Sequence, residues 1–288
     1  MQKIYFTKMH GAGNDFIFID KNRNKELNLD SSKIRKLCDR RFGIGGDGLI
    51  TIEDIQTFSY KMSYYNADGS TGSLCANGAR CSIWFAEKSS RLKNGLAKFI
   101  SNEDKYSGEV ISDELIRFNL NLPNNIQLNL KLDIHNENII YSCVDTGSPH
   151  IVIKIKDLLK SNIDKQKVYQ TISDLPVYDI GKKIRFASEF SPGGTNVNFI
   201  NITDDVIEIR TYERGVENET LACGTGSVAA AVVGFLTENL NPPVTLLTRG
   251  GDKLIVNFEV ENHEIKNLNL TGPAKIVFEG SIDEKFFI

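Results

Sequence analysis

Two cysteines of this 288-residue chain lie in similar short motifs that are far apart in sequence. Cys75 precedes Ala76-Asn77-Gly78, and Cys223 precedes Gly224-Thr225-Gly226-Ser227. Each motif follows a β-rich segment and precedes residues at helical spacing, so we predict each cysteine at a strand-to-helix turn. The first helix should begin near Ala76. A helix start presents backbone amides with partial positive charge, which lowers a thiol pKa towards neutrality and can bind a carboxylate.

Two such turns suit proton transfer at a carbon atom. Inversion of a carbon centre needs a base on one face and an acid on the other. A thiolate and a thiol can exchange these roles, and the helix-start amides would stabilise the charge that α-proton removal places on the carboxylate. The pattern therefore indicates an amino-acid epimerase or racemase in which Cys75 and Cys223 are the acid–base pair. No pyridoxal cofactor is needed for this chemistry.

Other functions of these cysteines are less consistent with the sequence. A phosphate-binding loop is disfavoured because the GxxxxGK[ST] pattern is missing, and a redox dithiol because CxxC is missing. A Cys–His hydrolase with His150 as base stays open, although it leaves the second cysteine turn unexplained. A non-catalytic binder of amino acids or peptides also stays open. The remaining cysteines, Cys38, Cys81 and Cys143, are predicted to pack in the core.

The elements that position the two cysteines recur along the chain. The first half is predicted to contain strands and helices in the order "GAGNDFIFID", "SSKIRKLCDR", "GLITIED", "YKMSYYN" and the Cys75 helix. The second half repeats this order in "GSPHIVIKI", a helix, "GGTNVNFINI", "VIEIRTYERG" and the Cys223 helix. The repeat predicts two α+β domains that face each other across a cleft.

Composition excludes several classes of protein. The net charge of -3 and the scattered lysines argue against a nucleic-acid partner. The N-terminus does not resemble a signal peptide, and the apolar run "SVAAAVVGFL" is too short to span a bilayer, so we predict a cytoplasmic protein with no membrane partner. An odd number of cysteines argues against a disulfide framework. No metal site is predicted, because the histidines lack ligand spacing: His10, His135, His150 and His263.

Six motifs in order along the chain resemble the diaminopimelate epimerase family. They are "KMHGAGNDFIFID", "RFGIGGDGLI", "YYNADGS...CANGARC", "DTGSPH", "GTNVNFI" and "TYERGVENETLACGTGS". The resemblance implies cofactor-independent interconversion of LL- and meso-diaminopimelate in lysine and peptidoglycan precursor biosynthesis, carried out by a homodimer. It implies two pseudo-symmetric α+β domains, each a curved, mostly antiparallel sheet around a central helix. Their expected bounds are 1–121 with 274–288, and 122–273.

The resemblance also implies roles for individual residues. Cys75 and Cys223 match the catalytic pair, with His150 and Glu213 as supporting groups. The reacting carboxylate is expected at the amides of Ala76, Asn77, Gly224 and Thr225. The residues that match substrate contacts, largely at the distal end, are Asn14, Asn66, Asn196, Glu213 and Arg214. Asp47 and Asp68, each before a glycine, are interpreted as turn formers, and His10 as backbone support.

Two positions depart from the family pattern. Ala76 replaces a common glycine, which keeps the amide but restricts φ, and catalysis should tolerate this if the position is helical. Ser148 replaces a common asparagine, and its shorter side chain should lose one distal substrate contact or make it through water. A racemase of another amino acid, such as histidine, therefore stays an alternative.

Overall fold

The computed structural model describes residues 3–134, 137–158, 169, 171–262 and 264–287. His135 and His263 lie outside these residues. The chain forms two compact units: unit 1 is Met1–Asn119 with Gly272–Ile288, and unit 2 is Leu120–Thr271. Both contain strands and helices, as the predicted α+β class requires.

The elements in chain order up to residue 119 are β1 (Lys3–Gly11), β2 (Asn14–Asp20), α1 (Ser31–Cys38), β3 (Gly48–Glu53), β4 (Tyr60–Asn66), α2 (Ala76–Lys88), β5 (Leu96–Ser101), β6 (Asp104–Ser112) and β7 (Leu115–Asn119). Those that follow are β8 (Asn124–Ile134), β9 (Glu137–Asp145), β10 (Pro149–Lys154), α3 (Ile155–Leu158), α4 (Val177–Arg185), β11 (Asn196–Thr203), β12 (Val206–Glu213), β13 (Asn218–Thr220), α5 (Gly224–Glu238), β14 (Val244–Thr248), β15 (Lys253–Glu261), β16 (Glu264–Pro273) and β17 (Lys275–Asp283). Single-turn 3₁₀ helices lie at Ile172–Asp174, Ser188–Phe190 and Glu284–Phe287.

The sheet of unit 1 mixes parallel and antiparallel pairs in a fixed order. Strand β1 pairs antiparallel with β17 on one side and with β2 on the other. The next pairs are β2–β3 parallel, β3–β4 antiparallel and β4–β5 parallel. Antiparallel pairs β5–β6 and β6–β7 follow. Each parallel pair is joined by a crossover that contains a helix, α1 or α2, as parallel strands require.

Unit 2 repeats this order strand for strand. Strand β9 pairs antiparallel with β8 and β10, as β1 does with β17 and β2. The next pairs are β10–β11 parallel, β11–β12 antiparallel and β12–β14 parallel. Antiparallel pairs β14–β15 and β15–β16 follow, and the short strand β13 is an addition beside β12. The predicted internal repeat is therefore confirmed as a repeat of sheet topology.

One helix in each unit is buried from all sides. In α2 every residue from Ala76 to Ala86 is buried, whereas α1 buries only one face. Helix α2 contacts β1, β2, β3, β4, β6 and β7, so this sheet curves around it. Helix α5 is enclosed in the same way by β9, β10, β11, β12, β14 and β15. A helix that is apolar or small-sided all round is stable only in such an enclosure, so the predicted central helices are confirmed.

Burial of α5 anchors the Cys223 turn. Val228, Val232 and Val233 are at most 1% exposed, and burying each valine contributes roughly 1.5–2 kcal/mol.

Among the residues that the structure describes, every helix is too short or too polar to cross a bilayer.

Candidate active site

Cys75 is the N-cap residue of α2. Its backbone is extended, with φ -97° and ψ 121°, and its carbonyl oxygen accepts the first helical hydrogen bond from the Ala79 amide at 2.8 Å. Ala76 is the first helical residue, which confirms the predicted helix start. Since this position is helical, the change from glycine to alanine introduces no strain there. The amides of the first turn are the donors that a helix start leaves outside its own ladder.

Asn14 contacts both Cys75 and Asn77. Cys75 Sγ lies 3.4 Å from Asn14 Oδ1, and Asn77 Nδ2 donates to the same oxygen at 3.3 Å. Strand pairing places Asn14 opposite Gly11 at the β1–β2 turn, and the Gly11 backbone lies directly against Asn77. Of the predicted substrate contacts, Asn14 therefore lies at the sulfur of Cys75, and Asn77 contacts Asn14.

Asn66 lies at the end of β4 and bonds within its own turn. Its amide nitrogen Nδ2 donates to Ser70 Oγ at 3.0 Å, and its backbone amide donates to the Ser70 carbonyl at 2.9 Å. None of the hydrogen bonds of Asn66 to the residues that the structure describes is made with Cys75. Asp68 forms the same turn by accepting from the Ser70 amide at 2.8 Å, so its interpretation as a turn former is confirmed. His10 Nδ1 likewise accepts from the Gly13 amide, as backbone support predicts.

Cys223 is the N-cap residue of α5 and has the same geometry as Cys75. Its φ and ψ are -115° and 112°, and its carbonyl accepts from both the amide and the hydroxyl of Ser227 at 2.9 Å. The sulfur lies 3.6 Å from Thr225 Oγ1. Gly226 is required here, because a Cβ at this position would lie 2.3 Å from Asn198 Oδ1.

A chain of hydrogen bonds fixes the tautomer of His150. Asn198 Oδ1 accepts from Thr211 Oγ1 at 2.9 Å. The Ile151 carbonyl can only accept, so its contact identifies the nitrogen end of the Asn198 amide. Asn198 Nδ2 then donates to the Ile151 carbonyl at 2.8 Å and faces His150 Nδ1 at 3.2 Å. An amide nitrogen only donates, so Nδ1 accepts and the neutral ring carries its proton on Nε2.

The protonated nitrogen of His150 faces two hydroxyl groups. Nε2 lies 3.0 Å from Thr225 Oγ1 and 3.0 Å from Ser148 Oγ. A threonine hydroxyl that accepts from Nε2–H keeps its own proton for a further bond, and Cys223 Sγ is within reach of it. The Thr225 hydroxyl therefore links His150 to Cys223, and Ser148 completes the contacts around the imidazole ring.

Burial keeps His150 neutral. The residue is 1% exposed, and burial together with the positive charge of Arg214 lowers the pKa of His150 to about 3. A protonated His150 would donate from both nitrogens, which the amide nitrogen of Asn198 cannot accept.

This shift predicts how stability depends on pH. The unfolded chain binds a proton at His150 below about pH 6.5, whereas the folded chain does so only near pH 3. The unfolded state therefore gains protons first, and stability present above pH 6.5 is lost as the pH falls towards 3. We expect His150 alone to lower the free energy of unfolding by about 2 kcal/mol between about pH 7 and pH 5.

Urea unfolding at these two pH values checks this expectation. His150→Asn removes the titrating group and should flatten the pH dependence by that amount. Asp15, whose burial is outweighed by hydrogen bonds from Arg40 and Lys8, has its pKa lowered to about 2, so its contribution changes only below this window. An unchanged slope in His150→Asn would contradict the assignment.

Asn196 shapes the turn that carries Arg214. Its Oδ1 accepts from the Arg214 amide at 2.9 Å, and its Nδ2 donates to the Pro149 carbonyl at 2.9 Å and to Ser148 Oγ at 3.4 Å. Glu213 Oε2 accepts from Thr220 Oγ1 at 2.9 Å. The half-buried Arg214 guanidinium makes no hydrogen bond or ion pair with any residue that the structure describes, which leaves it available to an anion.

Two groups beside the predicted site residues were not predicted as part of the site. Asp47 is more than a turn former, because its Oδ2 accepts from Asn14 Nδ2 at 2.7 Å and its Oδ1 accepts from Arg40 at 2.6 Å. Asn198 was not singled out, although it orients His150. The available signal was a polar residue within the apolar strand "NVNFI", since a polar side chain in such a strand needs a partner.

The other cysteines behave as packing residues. Cys38 and Cys81 are buried in α1 and α2, and Cys143 is half-buried in β9 against the core of unit 2. Burial raises the pKa of Cys38 to about 12, that of Cys143 to about 11 and that of Cys81 still further. Thiols with such pKa values are inert near neutral pH.

Comparison with known proteins adds a family relationship. The family model described as diaminopimelate epimerase matches residues 6–98 and 142–277, which is more than half of the chain. A diaminopimelate epimerase of Chlorobaculum tepidum is 40% identical over 277 residues, covering 95% of this chain and 99% of that protein. One from Flavobacterium psychrophilum is 37% identical over 281 residues, covering 97% of this chain and 100% of that protein.

Solved structures at low identity show the same fold. A phenazine biosynthesis protein of the PhzF family from Bacillus anthracis has a TM-score of 0.69 at 12% identity, covering 98% of this chain and 100% of that chain. A probable proline racemase from Agrobacterium radiobacter has a TM-score of 0.70 at 11% identity, covering 98% of this chain and 93% of that chain.

Proposed function

We propose, because this chain belongs to the diaminopimelate epimerase family, that it interconverts LL- and meso-2,6-diaminopimelate by proton transfer at one α-carbon. The observation that carries the proposal is the pair of thiols, each the N-cap of a buried helix. A helix start can bind the carboxylate that becomes charged when the α-proton leaves. The proposal places the enzyme in lysine and peptidoglycan precursor biosynthesis.

The proposed step moves one proton in and one proton out. The thiolate of one cysteine removes the α-proton and becomes a thiol, and the electron pair of the C–H bond delocalises into the carboxylate. The thiol of the other cysteine then donates its proton to the opposite face and becomes a thiolate. The amides of Ala76-Asn77 and Gly224-Thr225 stabilise the intermediate, because they are aimed before the charge develops.

Side chains around the thiols support this step in different ways. The neutral His150 orients Thr225, whose hydroxyl can donate to a Cys223 thiolate. Arg214 can bind a carboxylate with two parallel hydrogen bonds. Glu213 can accept from an ammonium group, and the amides of Asn14, Asn66 and Asn196 complete the proposed substrate contacts.

A Cys–His hydrolase fits the site less well. A general base works best when its pKa lies near the operating pH, whereas burial lowers the pKa of His150 to about 3. The same histidine is already engaged with Asn198, Thr225 and Ser148. A racemase of another amino acid keeps both cysteines and differs at the distal end, where Ser148 replaces the family's asparagine.

We further propose that the enzyme is a cytoplasmic homodimer without nucleic-acid or membrane partners. The net charge of -3 supports the first exclusion, since nucleic-acid binding domains are basic.

Turnover in D2O tests the proposal. Each inversion should place one deuterium at the α-carbon of the product, which proton NMR detects as loss of the α-proton signal. LL-diaminopimelate should react faster than histidine, proline or glutamate. Inversion without deuterium incorporation would exclude the mechanism, and faster reaction of another amino acid would identify it as the substrate.

A further inference from the structure

The side chains beside Cys75 form a chain of hydrogen bonds whose direction is set at both ends. At one end stands the carboxylate of Asp47, which only accepts. At the other end stands the guanidinium of Arg80, which only donates. Asn14 and Asn77 lie between these two charged groups, and Cys75 Sγ contacts Asn14.

The Asp47 end determines the orientation of Asn14. Asn14 Nδ2 donates to Asp47 Oδ2 at 2.7 Å, so Oδ1 must point the other way. Arg40 Nη2 donates to Asp47 Oδ1 at 2.6 Å and also to Asp15 Oδ1 at 2.6 Å. Lys8 binds Asp15 in turn. Asp47 is therefore held in place by a cluster of ion pairs.

The hydrogen bonds at the Arg80 end independently require the same orientation of the Asn14 amide. Arg80 is 0% exposed, and its Nη2 donates to Asn77 Oδ1 at 2.7 Å. Asn77 Nδ2 therefore faces outward and donates to Asn14 Oδ1 at 3.3 Å. Both ends require the oxygen of Asn14 to face Cys75.

An oxygen acceptor at 3.4 Å distinguishes between the two forms of the cysteine. A thiol can donate to Asn14 Oδ1, whereas a thiolate can only be repelled by it. The contact at Cys223 is different, because a Thr225 hydroxyl that accepts from His150 is left with a proton to donate. The charged groups of unit 1 in this chain of contacts are Asp47, Arg40, Asp15, Lys8 and Arg80.

We propose that Asp47 is a positioning residue for the reaction: through Asn14 it keeps Cys75 in the thiol form in the resting enzyme, so that Cys223 carries the thiolate. This inference rests on the proposed function for its catalytic meaning. It assigns Cys75 as the first acid and Cys223 as the first base of the resting enzyme. A substrate whose α-proton faces Cys223 then reacts without prior proton exchange.

The isosteric variant Asp47→Asn tests the direction of the hydrogen bonds that run from Asp47 through Asn14 to Cys75. Two donors face Asp47 Oδ2, the Asn14 amide at 2.7 Å and the Asp15 backbone amide at 3.2 Å, and the charged Arg40 faces Oδ1 at 2.6 Å. Because a hydrogen bond from a charged donor is stronger than one from a neutral donor, Arg40 should hold the oxygen of the new amide, which turns its nitrogen towards Asn14 Nδ2 and brings two donors together. Turning Asn14 over relieves this conflict and presents Nδ2 to the sulfur, which favours the thiolate. The contact that becomes unfavourable is the longer one, at 3.3 Å to Asn77.

The measurement is the rate of iodoacetamide alkylation at each cysteine against pH, read by peptide mapping of substrate-free enzyme. In the unmodified protein the pH midpoint for Cys223 should lie below that for Cys75. Asp47→Asn should lower the Cys75 midpoint by about one pH unit, about a tenfold change in ionisation, and leave that of Cys223 unchanged.

A second variant distinguishes a reversed hydrogen-bond direction beside Cys75 from a general disruption of the structure by Asp47→Asn. In Asn14→Asp with Asp47→Asn, the new amide can donate to the new carboxylate, whose other oxygen again accepts from Cys75. The Cys75 midpoint should return to its original value or rise above it. The double variant also carries the test if Asp47→Asn alone does not fold.

Asp54→Asn is the matched control. Asp54 also accepts from one asparagine amide and one arginine, Asn22 Nδ2 and Arg91 Nε, and it lies outside the chain of hydrogen bonds that joins Asp47 to Arg80. Its replacement should leave both midpoints unchanged. A Cys75 midpoint that stays fixed in Asp47→Asn, shifts equally in Asp54→Asn or is not restored in the double variant would overturn the inference. Because no substrate is present, this outcome is independent of the deuterium experiment.

Discussion

Replacing Cys75 or Cys223 by alanine should lower kcat for epimerisation by about 10³-fold. A positioned general acid or base contributes about 10² to 10⁴ in rate, and in the proposed mechanism each inversion needs both groups. Steady-state kinetics with LL- and meso-diaminopimelate measures the loss. The two variants should be equally impaired in both directions, since each direction uses one cysteine as base and the other as acid.

Exchange of the substrate α-proton with D2O distinguishes the proposed roles of the two cysteines. In Cys75→Ala the remaining Cys223 can still remove and return a proton on its own face, so one stereoisomer should exchange its α-proton with D2O without inverting. Cys223→Ala should do the same with the opposite stereoisomer. Exchange of the same isomer by both variants would contradict a two-sided mechanism.

Cys81→Ala is the control for these variants. Cys81 lies in the same helix as the Cys75 turn but is 0% exposed. Its replacement should leave kcat within about twofold and lower the free energy of unfolding by about 1 kcal/mol. A catalytic loss in Cys81→Ala comparable to that in Cys75→Ala would show that the helix, and not the thiol, is being measured.

Arg214→Ala should lower kcat/KM for LL-diaminopimelate by about 10²-fold. Two charge-assisted hydrogen bonds to one carboxylate contribute about 3 kcal/mol together. Arg214→Lys keeps the charge but loses the two-point geometry, and we expect a loss of about tenfold. The assay is the initial rate of epimerisation over a range of substrate concentrations.

Lysine identifies the carboxylate that Arg214 binds, because lysine is diaminopimelate without its distal carboxylate. If Arg214 binds the distal end, α-proton exchange of lysine should be equally slow in the original enzyme and in Arg214→Ala. A further loss with lysine would move Arg214 to the reacting carboxylate. Arg249→Ala is the control, since Arg249 pairs at the surface with Glu219, which also binds Arg210. Its kcat/KM should stay within about twofold.

Local patterns in the sequence predicted both cysteine turns correctly. Small residues after each cysteine and apolar residues at helical spacing place the helix starts, and these signals act within about one or two turns of the chain. The doubled order of strands and helices also predicted the repeated topology. Strands β5, β6, β13 and β16 and helix α4 were not predicted. Helix α4 begins after Pro176 without a capping side chain, so the usual start signal is missing.

The hydrogen-bond partners beside each cysteine turn are decided by tertiary structure. Parallel pairing of β2 with β3 brings Asp47 next to Asn14, and parallel pairing of β10 with β11 brings Asn198 next to His150. The residues in each pair are more than thirty positions apart in sequence. An amide or imidazole can donate or accept at a given atom according to its partner, so its direction cannot be known before the partner is known.

The sequence by itself therefore determined which two cysteines lie at helix starts. The tertiary structure alone decided which partners they meet: an obligate acceptor at Cys75 and a hydroxyl backed by a neutral histidine at Cys223. The reason is physical, because helix starts are encoded in adjacent residues, whereas the polarity of a hydrogen-bond chain is set by charged groups at its ends that only folding brings together.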